Sequence, residues 1–459
     1  MRLRSPAKME RPLPEKMHLA VDISYTHLDG RWRMPGSWTG RTYPDLDVYE
    51  EMARIAERGL IDMLFFGDGT GIPDNWAGNR DEAVRWGIGW PRHDMSPVVT
   101  AMSRVTKHIG FGLTYASTFM HPFYIARLMN SLDHVTNGRI AYNVITSNRP
   151  ADAANYGFDA LMEHGARYDR MEEFIDVCRA LWDSVEPDAF VWDRASGLVV
   201  GDPSKVRAID HIGKFFKVRG PLNCMPSPQR HPVLIQAGSS PRGIKASAYI
   251  ADHIFARWPP LSAKAQHRAE LDKWLVEFKR DKSKVGILWG VGLVVAETEA
   301  EAKARREGLL TMIPPEAVGP YLSHNSGYDF SGLPDRVVLA EVQEQIVKAN
   351  ASPTGFVFRL MRDLGKDTVM SKKDFFEYGL RTATNYDRTY AGTPAQMADV
   401  LEEHFEAGGS RGGFMIVHPQ AVPRDILSVV DLLIPELQRR GRFRTRYDGR
   451  TLKENLVST

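Results

Sequence analysis

Short apolar runs alternate with segments of helical spacing along most of this 459-residue chain. Turn residues bound the apolar runs, which is typical of buried strands in a parallel sheet. We identify eight such strands, at His18–Ile23, Met63–Phe66, Ile109–Tyr115, Ile140–Ile145, Val233–Gln236, His253–Phe255, Val285–Val295 and Gly413–Val417. Helical spacing is clearest at Leu46–Arg58, Ala101–Lys107, Ala126–Leu132, Tyr168–Trp182, Pro241–Ala251, Thr298–Gly308 and Pro394–Glu406. The alternation predicts an α/β protein whose parallel strands are covered by helices.

Eight alternations of strand and helix favour a closed TIM (β/α)8 barrel over an open doubly wound sheet. An open sheet of that size usually contains two mononucleotide-binding halves. We therefore expect a single barrel domain over residues 1–459, with two long insertions at about 183–230 and 309–393. Loops that follow barrel strands lie over the active-site face, so either insertion could form a lid. A subunit contact is the alternative.

The charge balance argues against a nucleic-acid partner, since 59 basic residues face 57 acidic ones and leave a net charge of +2. The two cysteines, Cys178 and Cys224, cannot form a disulfide framework, which favours a reducing compartment. No run of about 18 apolar residues occurs, so we expect no membrane partner. We predict a cytoplasmic protein. Its basic C-terminal tail, residues 436–459, is interpreted as solvated or as a subunit contact.

A candidate anion site follows the fifth strand, in the segment PVLIQAGSSPRGIKASAYIADHIF. Gly238 lets a ligand approach the backbone, and Ser239 and Ser240 supply hydroxyl groups before a helix whose first N–H groups are unpaired. This arrangement fits a phosphate. An ordinary capped helix is the alternative, since a Ser-Pro sequence often opens a helix without any ligand.

Polar residues also follow three other strands. The fourth strand contains Asn143 and is followed by Ser147, where barrel enzymes collect ligand-binding groups, although ordinary turns use the same residue types. Asp68 follows the second strand in a glycine-rich loop that departs from the dinucleotide-binding fingerprint and suits the close approach of a flat ligand. Thr118 and His121 follow the third strand. His121 is the candidate catalytic residue, with a structural histidine as the alternative.

A metal-dependent hydrolase is disfavoured, because such a site needs His and carboxylate residues at several strand ends. The first strand offers only His18, at its start, and the fourth strand offers none. We predict no metal site.

Four segments, taken in order, resemble the bacterial-luciferase-like flavin monooxygenases, and within them the nitrilotriacetate and dibenzothiophene-sulfone monooxygenase family. They are ARIAERGLIDMLFFGDG, HPFYIARLMNSLDHVTNGRIAYNVITSN with AANYGF and HGARYDRMEEFIDV after it, PVLIQAGSSPRGIKASAYIADHIF and LIPELQRRGRFRTRYDGRTLKENL. The resemblance covers nearly the whole chain. It implies a two-component enzyme that receives reduced FMN from a separate NAD(P)H-dependent flavin reductase. Such an enzyme uses O2 to hydroxylate a small organic substrate or to cleave its C–N or C–S bond. A homodimer or homotetramer is also implied.

The resemblance further implies a set of cofactor-binding residues. These are Asp68, Thr118, Asn143, Ser147, Tyr168, Ser239 and Ser240. Ser147, Tyr168 and the two adjacent serines match positions that reach the FMN phosphate. Asn143 and Asp68 match positions beside the isoalloxazine ring.

Two other functions stay open at this point. A deazaflavin-dependent oxidoreductase on the same barrel would transfer hydride without using O2. A non-catalytic flavin-binding protein would have no need of a lid, so the long second insertion argues against it.

The substrate class is also open, because the candidate surroundings are mixed. An aromatic slot is favoured by Tyr25, Trp32, Trp38, Phe119 and Trp258. An anion could be bound by Arg31, Arg33, Arg149 and Arg257. We favour a compound with an aromatic or heteroatom-bearing centre, with an aminopolycarboxylate as the alternative.

Overall fold

The computed structural model describes residues 15–24, 27–38, 43–147, 149–238, 240–256, 260–349, 351, 355–417 and 422–457. In this part of the chain, eight parallel strands close into a ring because β6 pairs with β7. The strands are β1 (His18–Asp22), β2 (Met63–Phe66), β3 (Gly110–Ala116), β4 (Ile140–Ile145), β5 (Val233–Gln236), β6 (His253–Ala256), β7 (Gly286–Val295) and β8 (Gly412–Ile416). The predicted barrel is confirmed, and each predicted strand agrees with the observed one to within one residue at either end.

Helices surround the barrel and fill the second insertion. They are α1 (Asp47–Arg58), α2 (Asp81–Trp86), α3 (Met95–Arg104), α4 (Pro122–Thr136), α5 (Pro150–Asn155), α6 (His164–Trp182), α7 (Pro241–Ile250), α8 (Leu261–Glu277), α9 (Glu299–Glu307), α10 (Pro315–Ser326), α11 (Leu339–Lys348), α12 (Phe356–Leu364), α13 (Lys372–Ala383), α14 (Pro394–Ala407), α15 (Arg424–Ser428), α16 (Ile434–Arg439) and α17 (Leu452–Val457). A π-helical turn, Val429–Leu433, joins α15 to α16. Within the described ranges, no helix is long and apolar enough to cross a membrane.

Short elements decorate this frame. Two small antiparallel ladders pair His211–Ile212 with Lys217–Val218 and Arg336–Val338 with Val369–Ser371. A further parallel strand, Thr389–Gly392, pairs with the second half of β7 beyond the ring. The 3-10 turns are Arg31–Arg33, Pro203–Lys205, Lys282–Lys284, Gly308–Thr311 and Tyr386–Arg388.

The main core lies between the strands and the surrounding helices. On β7, Ile287 and Trp289 point outward into this core, whereas Leu288 points into the barrel with Phe65 and Phe255. The alternation follows from the two-residue period of a strand. The apolar faces of α1 and α4 are buried in the same core. These faces are therefore used within one chain.

Helix α8 is the long helix that hydrophobic spacing misses. Its buried positions are Lys264, Arg268, Leu271 and Leu275, at spacings of four, three and four residues. The spacing is helical, but two of the four positions are cations. The Lys264 ammonium lies 4.2 Å above the Trp289 ring and forms no ion pair with a described residue. Burial lowers the pKa of Lys264 to about 7.

The C-terminal tail differs from the solvated segment expected, because it closes the amino-terminal end of the barrel. Leu452 and Leu456 of α17 join the core inside the barrel. Arg444 is buried and donates to Asp62 and, at 3.0 Å, to the Asn455 carbonyl. Burial pushes the pKa of Asp62 upward, but Arg444 and His18 hold it below its ordinary value overall. Arg444 of the basic tail thus has a structural role at the amino-terminal end of the barrel.

The second insertion has a hydrophobic core of its own. Phe330, Phe375, Leu322 and Val342 are among its buried members, and Met34 from the segment after β1 joins them. The insertion touches the barrel through the loop after β2, where Asn75 donates to the Ser323 carbonyl. This helical unit therefore lies over the carboxyl ends of the first strands.

We expect Arg444→Ala to lower the free energy of unfolding by about 3–5 kcal/mol, because it leaves the Asp62 carboxylate buried without its main partner. Urea denaturation of the purified protein measures the change. Arg446→Ala is the matched control, since the Arg446 side chain is 82% exposed, and we expect it to change stability by under about 0.5 kcal/mol. Equal effects of the two substitutions would contradict the buried role.

Lys264→Met is expected to stabilise the protein on the order of 2 kcal/mol at pH 6, because it removes a buried charge without a counterion. Below pH 7 the lysine is protonated in both folded and unfolded states, so the full cost is present. Between about pH 7 and pH 10.5, Lys264 is protonated only in the unfolded chain, so the stability of the wild type rises with pH. The gain should therefore shrink toward pH 10 in urea denaturation. Lys273→Met, on the exposed face of the same helix, should show no such pH dependence.

Candidate active site

Polar side chains gather at the carboxyl ends of β2 to β5. Asp68 lies two residues after β2, Asn143 lies within β4, Ser147 lies two residues after β4, and Ser240 opens α7 after β5. Parallel strands place all these ends on one face of a barrel. The predicted residues are therefore brought to the same end of the molecule.

Asn143 faces the inside of the barrel and is almost fully buried. Its Nδ2 donates to the Thr114 hydroxyl at 2.9 Å, and that hydroxyl donates to the Phe66 carbonyl at 2.7 Å. Its Oδ1 is buried and has no hydrogen-bond partner among the described residues. A buried acceptor without a donor is costly, so this atom indicates a place for a ligand group.

Asp68 lies in the loop after β2 and accepts a hydrogen bond from the Gly69 N–H at 2.7 Å. Burial raises the pKa of its carboxyl group above the ordinary value, although the nearby Arg92 opposes the shift. The sequence predicted glycines in this loop for the close approach of a flat ligand, whereas the structure gives Gly71 a different neighbour. A Cβ atom added to Gly71 would lie 2.6 Å from the backbone carbon of Ala151 in α5. Gly71 is therefore required by the close packing of α5 on the loop.

Asp152 of α5 ties the β2 loop to the β4 loop. Its Oδ1 accepts from the Thr70 and Gly71 N–H groups at 2.9 and 2.7 Å, and its Oδ2 accepts from the Ser147 hydroxyl at 2.9 Å. Ser147 adopts a positive φ of 48° at this point. Its hydroxyl is thus already engaged in holding the loop.

A cradle forms where α6 and α7 begin. The Tyr168 hydroxyl and the Ser240 hydroxyl would lie 3.0 and 3.1 Å from a Cβ atom added to Gly243. Arg167 donates from Nη1 to the Ser147 carbonyl, and its Nε is buried without a partner in the described part of the chain. Hydroxyl groups, a guanidinium and the N-terminus of a ten-residue helix suit an anion with several oxygen atoms.

Ser240 also caps α7, because its hydroxyl accepts from the Gly243 N–H at 3.0 Å. The capped-helix alternative therefore describes this side chain correctly and does not exclude a ligand beside it. Ser239 lies outside the described residues.

Thr118 and His121 have contacts within the chain. Thr118 donates from its hydroxyl to the Thr146 carbonyl at 2.6 Å and so joins the loops after β3 and β4. His121 is exposed and caps α4, with Nδ1 accepting from the Phe123 N–H at 3.3 Å. Its ring packs edge-on against Phe216 of the first insertion at 6.2 Å. The structure gives both residues positions that local structure explains.

Two residues of the site, Arg167 and Asp152, were missed by sequence reasoning. Arg167 precedes the predicted Tyr168, so a search for a cation near the phosphate hydroxyls could have found it. Asp152 gives no comparable signal, because its two backbone partners in the β2 loop lie about 80 residues earlier in the chain.

A cavity of about 720 Å³ lies apart from these residues. It opens between α12, α13 and the outer side of β7, and it shares no lining residue with the cradle. Two of its arginines, Arg362 and Arg381, form ion pairs with Asp363 and Asp387. This cavity is therefore separate from the cradle at the start of α6 and α7.

Known proteins match the chain over most of its length. The family model described as luciferase-like monooxygenase matches residues 29–411. The chain is 35% identical over 447 residues to a dibenzothiophene-sulfone monooxygenase of Rhodococcus erythropolis, covering 96% of each protein. It is 36% identical over 445 residues to nitrilotriacetate monooxygenase component A of Aminobacter aminovorans, covering 95% of this chain and 94% of that one.

A similar fold is found among solved structures. The crystal structure of a long-chain alkane monooxygenase superimposes with a TM-score of 0.84 at 30% identity, over 97% of this chain and 96% of that one. The barrel and its insertions thus agree with a solved relative over nearly the entire length.

We expect Asp152→Asn to loosen the β2 loop, because the neutral amide loses the charge from three hydrogen bonds. Amide hydrogen exchange at residues 67–72 should become about tenfold faster or more. Asp159→Asn, at an exposed position in the same region, is the control and should leave exchange unchanged. Unchanged protection in the Asp152 variant would show that packing alone holds the loop.

Proposed function

The chain belongs to the luciferase-like monooxygenase family, and from this we propose that it binds reduced FMN delivered by a separate NAD(P)H-dependent flavin reductase. As a flavin-dependent monooxygenase of this family, it uses O2 to oxidise a small organic substrate. The relative from Aminobacter aminovorans is component A of nitrilotriacetate monooxygenase, and this supports a separate reductase.

The observation that carries the FMN proposal is a pair of buried polar atoms without partners, Asn143 Oδ1 and Arg167 Nε. FMN offers a suitable group to each, since its ring edge has N–H donors and its phosphate has charged acceptors. The distance along the chain from Asn143 to Ser147 also fits the length of FMN. Asn143 and Ser147 are separated by four residues, which span at most about 13 Å in an extended chain. That span is comparable to the reach from ring to phosphate in FMN.

Each residue would then have a distinct task. Arg167, Tyr168 and the N-terminus of α7 hold the phosphate, while Asn143 orients the ring from inside the barrel. Bound reduced flavin supplies the chemistry that activates O2, and the protein contributes orientation and exclusion of water. The second insertion, with its own hydrophobic core above the first strands, supports that exclusion.

Subunit assembly stays a prediction. The apolar faces of α1 and α4 are buried in the core of one chain and so offer no surface for a contact between subunits. A homodimer or homotetramer therefore rests on resemblance, and a sedimentation mass near the 51.7 kDa of one chain at micromolar concentration would contradict it.

We expect Arg167→Met and Tyr168→Phe each to weaken FMN binding about ten- to hundredfold, through the loss of a charge-assisted phosphate contact. Quenching of flavin fluorescence measures the affinity directly and needs no substrate. Tyr249→Phe is the matched control, because the Tyr249 hydroxyl donates to Asp176 at 2.9–3.0 Å and Tyr249 lies about two turns after the first residue of α7. Unchanged affinity in both cradle variants would place the phosphate elsewhere.

Oxygen use is tested separately with FMN, a flavin reductase and NADH. Incorporation of ¹⁸O from labelled O2 into a product is the expected result. Substrate reduction or oxidation without oxygen uptake would instead support the deazaflavin type of hydride transfer.

A further inference from the structure

Four arginines were candidates for binding an anionic substrate, and they differ in their contacts within the structure. Arg31 is buried and contacts Asp29 Oδ2 at 3.4 Å. Arg33 donates to the Met312 carbonyl at 3.2 Å. Arg257 lies outside the described residues. Arg149 forms no ion pair with any described carboxylate.

The guanidinium of Arg149 lies directly over the β2 loop. A Cβ atom added to Gly69 would come within 1.8 Å of its Nη1, so the loop has a glycine where the cation passes. The backbone of Arg149 is fixed at the start of α5, which Asp152 and Asn155 anchor to Thr70. The cation is therefore presented by a braced turn beside Asp68, at the ring end of the proposed FMN site.

A second basic group approaches the same space from the insertion. His324 of α10 lies against the loop before α3, with its Nε2 3.2 Å from a Cβ atom added to Gly89. Burial lowers the pKa of His324 well below its ordinary value, and Arg149 and Arg92 lower it further. Arg92 is held by the Gly89 and Gly67 carbonyls at 2.9 and 3.2 Å.

In the described part of the chain, the nearby carboxyl groups are held by partners other than Arg149. Asp29 contacts Arg31 and accepts from a backbone N–H group at 3.3 Å, and Asp68 accepts from a loop N–H group at 2.7 Å. Asp94 caps α3 and accepts from the Tyr115 hydroxyl at 2.9 Å. Asp152 is engaged by two loop N–H groups and a hydroxyl.

The aromatic candidates have other neighbours. Phe119 stacks on Tyr156 at 5.0 Å with only 8° between the rings, and Phe158 packs against it. Trp32 is 52% exposed, and Trp38 packs against the main core. Tyr25 and Trp258 lie outside the described residues. The described side chains at the β2 loop thus favour an anion over a flat apolar compound.

We propose that Arg149 binds the carboxylate of the substrate over the β2 loop, with His324 contacting the same group from the insertion, so that the enzyme oxidises an organic acid. The inference rests on the proposed function, because it takes the ring of FMN to lie beside Asp68 and Asn143. Arg149 is a substrate-binding residue in this scheme and performs no chemical step. A guanidinium fits this task, since it can donate two parallel hydrogen bonds to a carboxylate.

The test uses the FMN-loaded protein and three probes, benzoate, succinate and the neutral isostere benzamide. Isothermal titration should show that benzoate binds about tenfold more tightly than benzamide. Arg149→Gln should weaken both acids about tenfold or more and leave benzamide unchanged. Arg149→Lys should fall between wild type and the Gln variant, and His324→Gln should weaken the acids by a smaller factor. Arg80→Gln, an exposed arginine before α2, is the matched control and should bind all probes as wild type does.

Equal binding of benzoate and benzamide to wild type would overturn the inference, as would the absence of acid binding in the millimolar range. So would acid affinities that Arg149→Gln and Arg149→Lys leave unchanged. Flavin titration of the same samples separates the two proposals. Wild-type protein that fails to bind FMN contradicts the proposed function, whereas FMN binding without preference for acids contradicts only the substrate class.

Discussion

The carboxylate of Asp152 is the contact on which the site depends, because it joins two loops that strand pairing leaves apart. β2 and β4 are separated in the barrel by β3, so no backbone ladder connects their ends. One side chain from the short α5 supplies that connection by accepting from Thr70, Gly71 and Ser147 together. This link holds α5 against the β2 loop, where Gly71 meets Ala151 and Gly69 meets the guanidinium of Arg149.

Local patterns in the sequence were sufficient for the barrel but not for every helix. A strand is recognised from a short apolar run, whichever strand it pairs with. All eight strands of the barrel were therefore predicted. α8 was missed because Lys264 and Arg268 occupy half of its buried face. Their stems pack against the barrel wall while their charges meet an aromatic ring and backbone carbonyls. Tertiary packing here replaces the apolar residues that a periodicity search requires.

The candidate site was predictable to the extent that it is local. Asn143, Ser147 and Tyr168 lie in one stretch of sequence, and the turn before α7 is a second, so motifs identify the cofactor end. The groups around the β2 loop come from three distant segments, represented by Arg92, Arg149 and His324. Their meeting depends on where the insertion docks, which no single motif encodes. For this reason a resemblance points to the flavin more directly than to the substrate.

The closure of the barrel floor by the C-terminal tail has a consequence for folding. Asp62 and Arg444 are separated by 382 residues, and Leu452 covers strands that begin the chain. Contacts at such separation require closing a very long loop, whose entropy is lost before the contact stabilises anything. The buried carboxylate of Asp62 therefore gains its arginine partner only when the segment after α16 is in place. During synthesis this makes completion of the barrel a late event. A chain that stopped early would leave His18 and Asp62, at the start of β1 and β2, exposed to water.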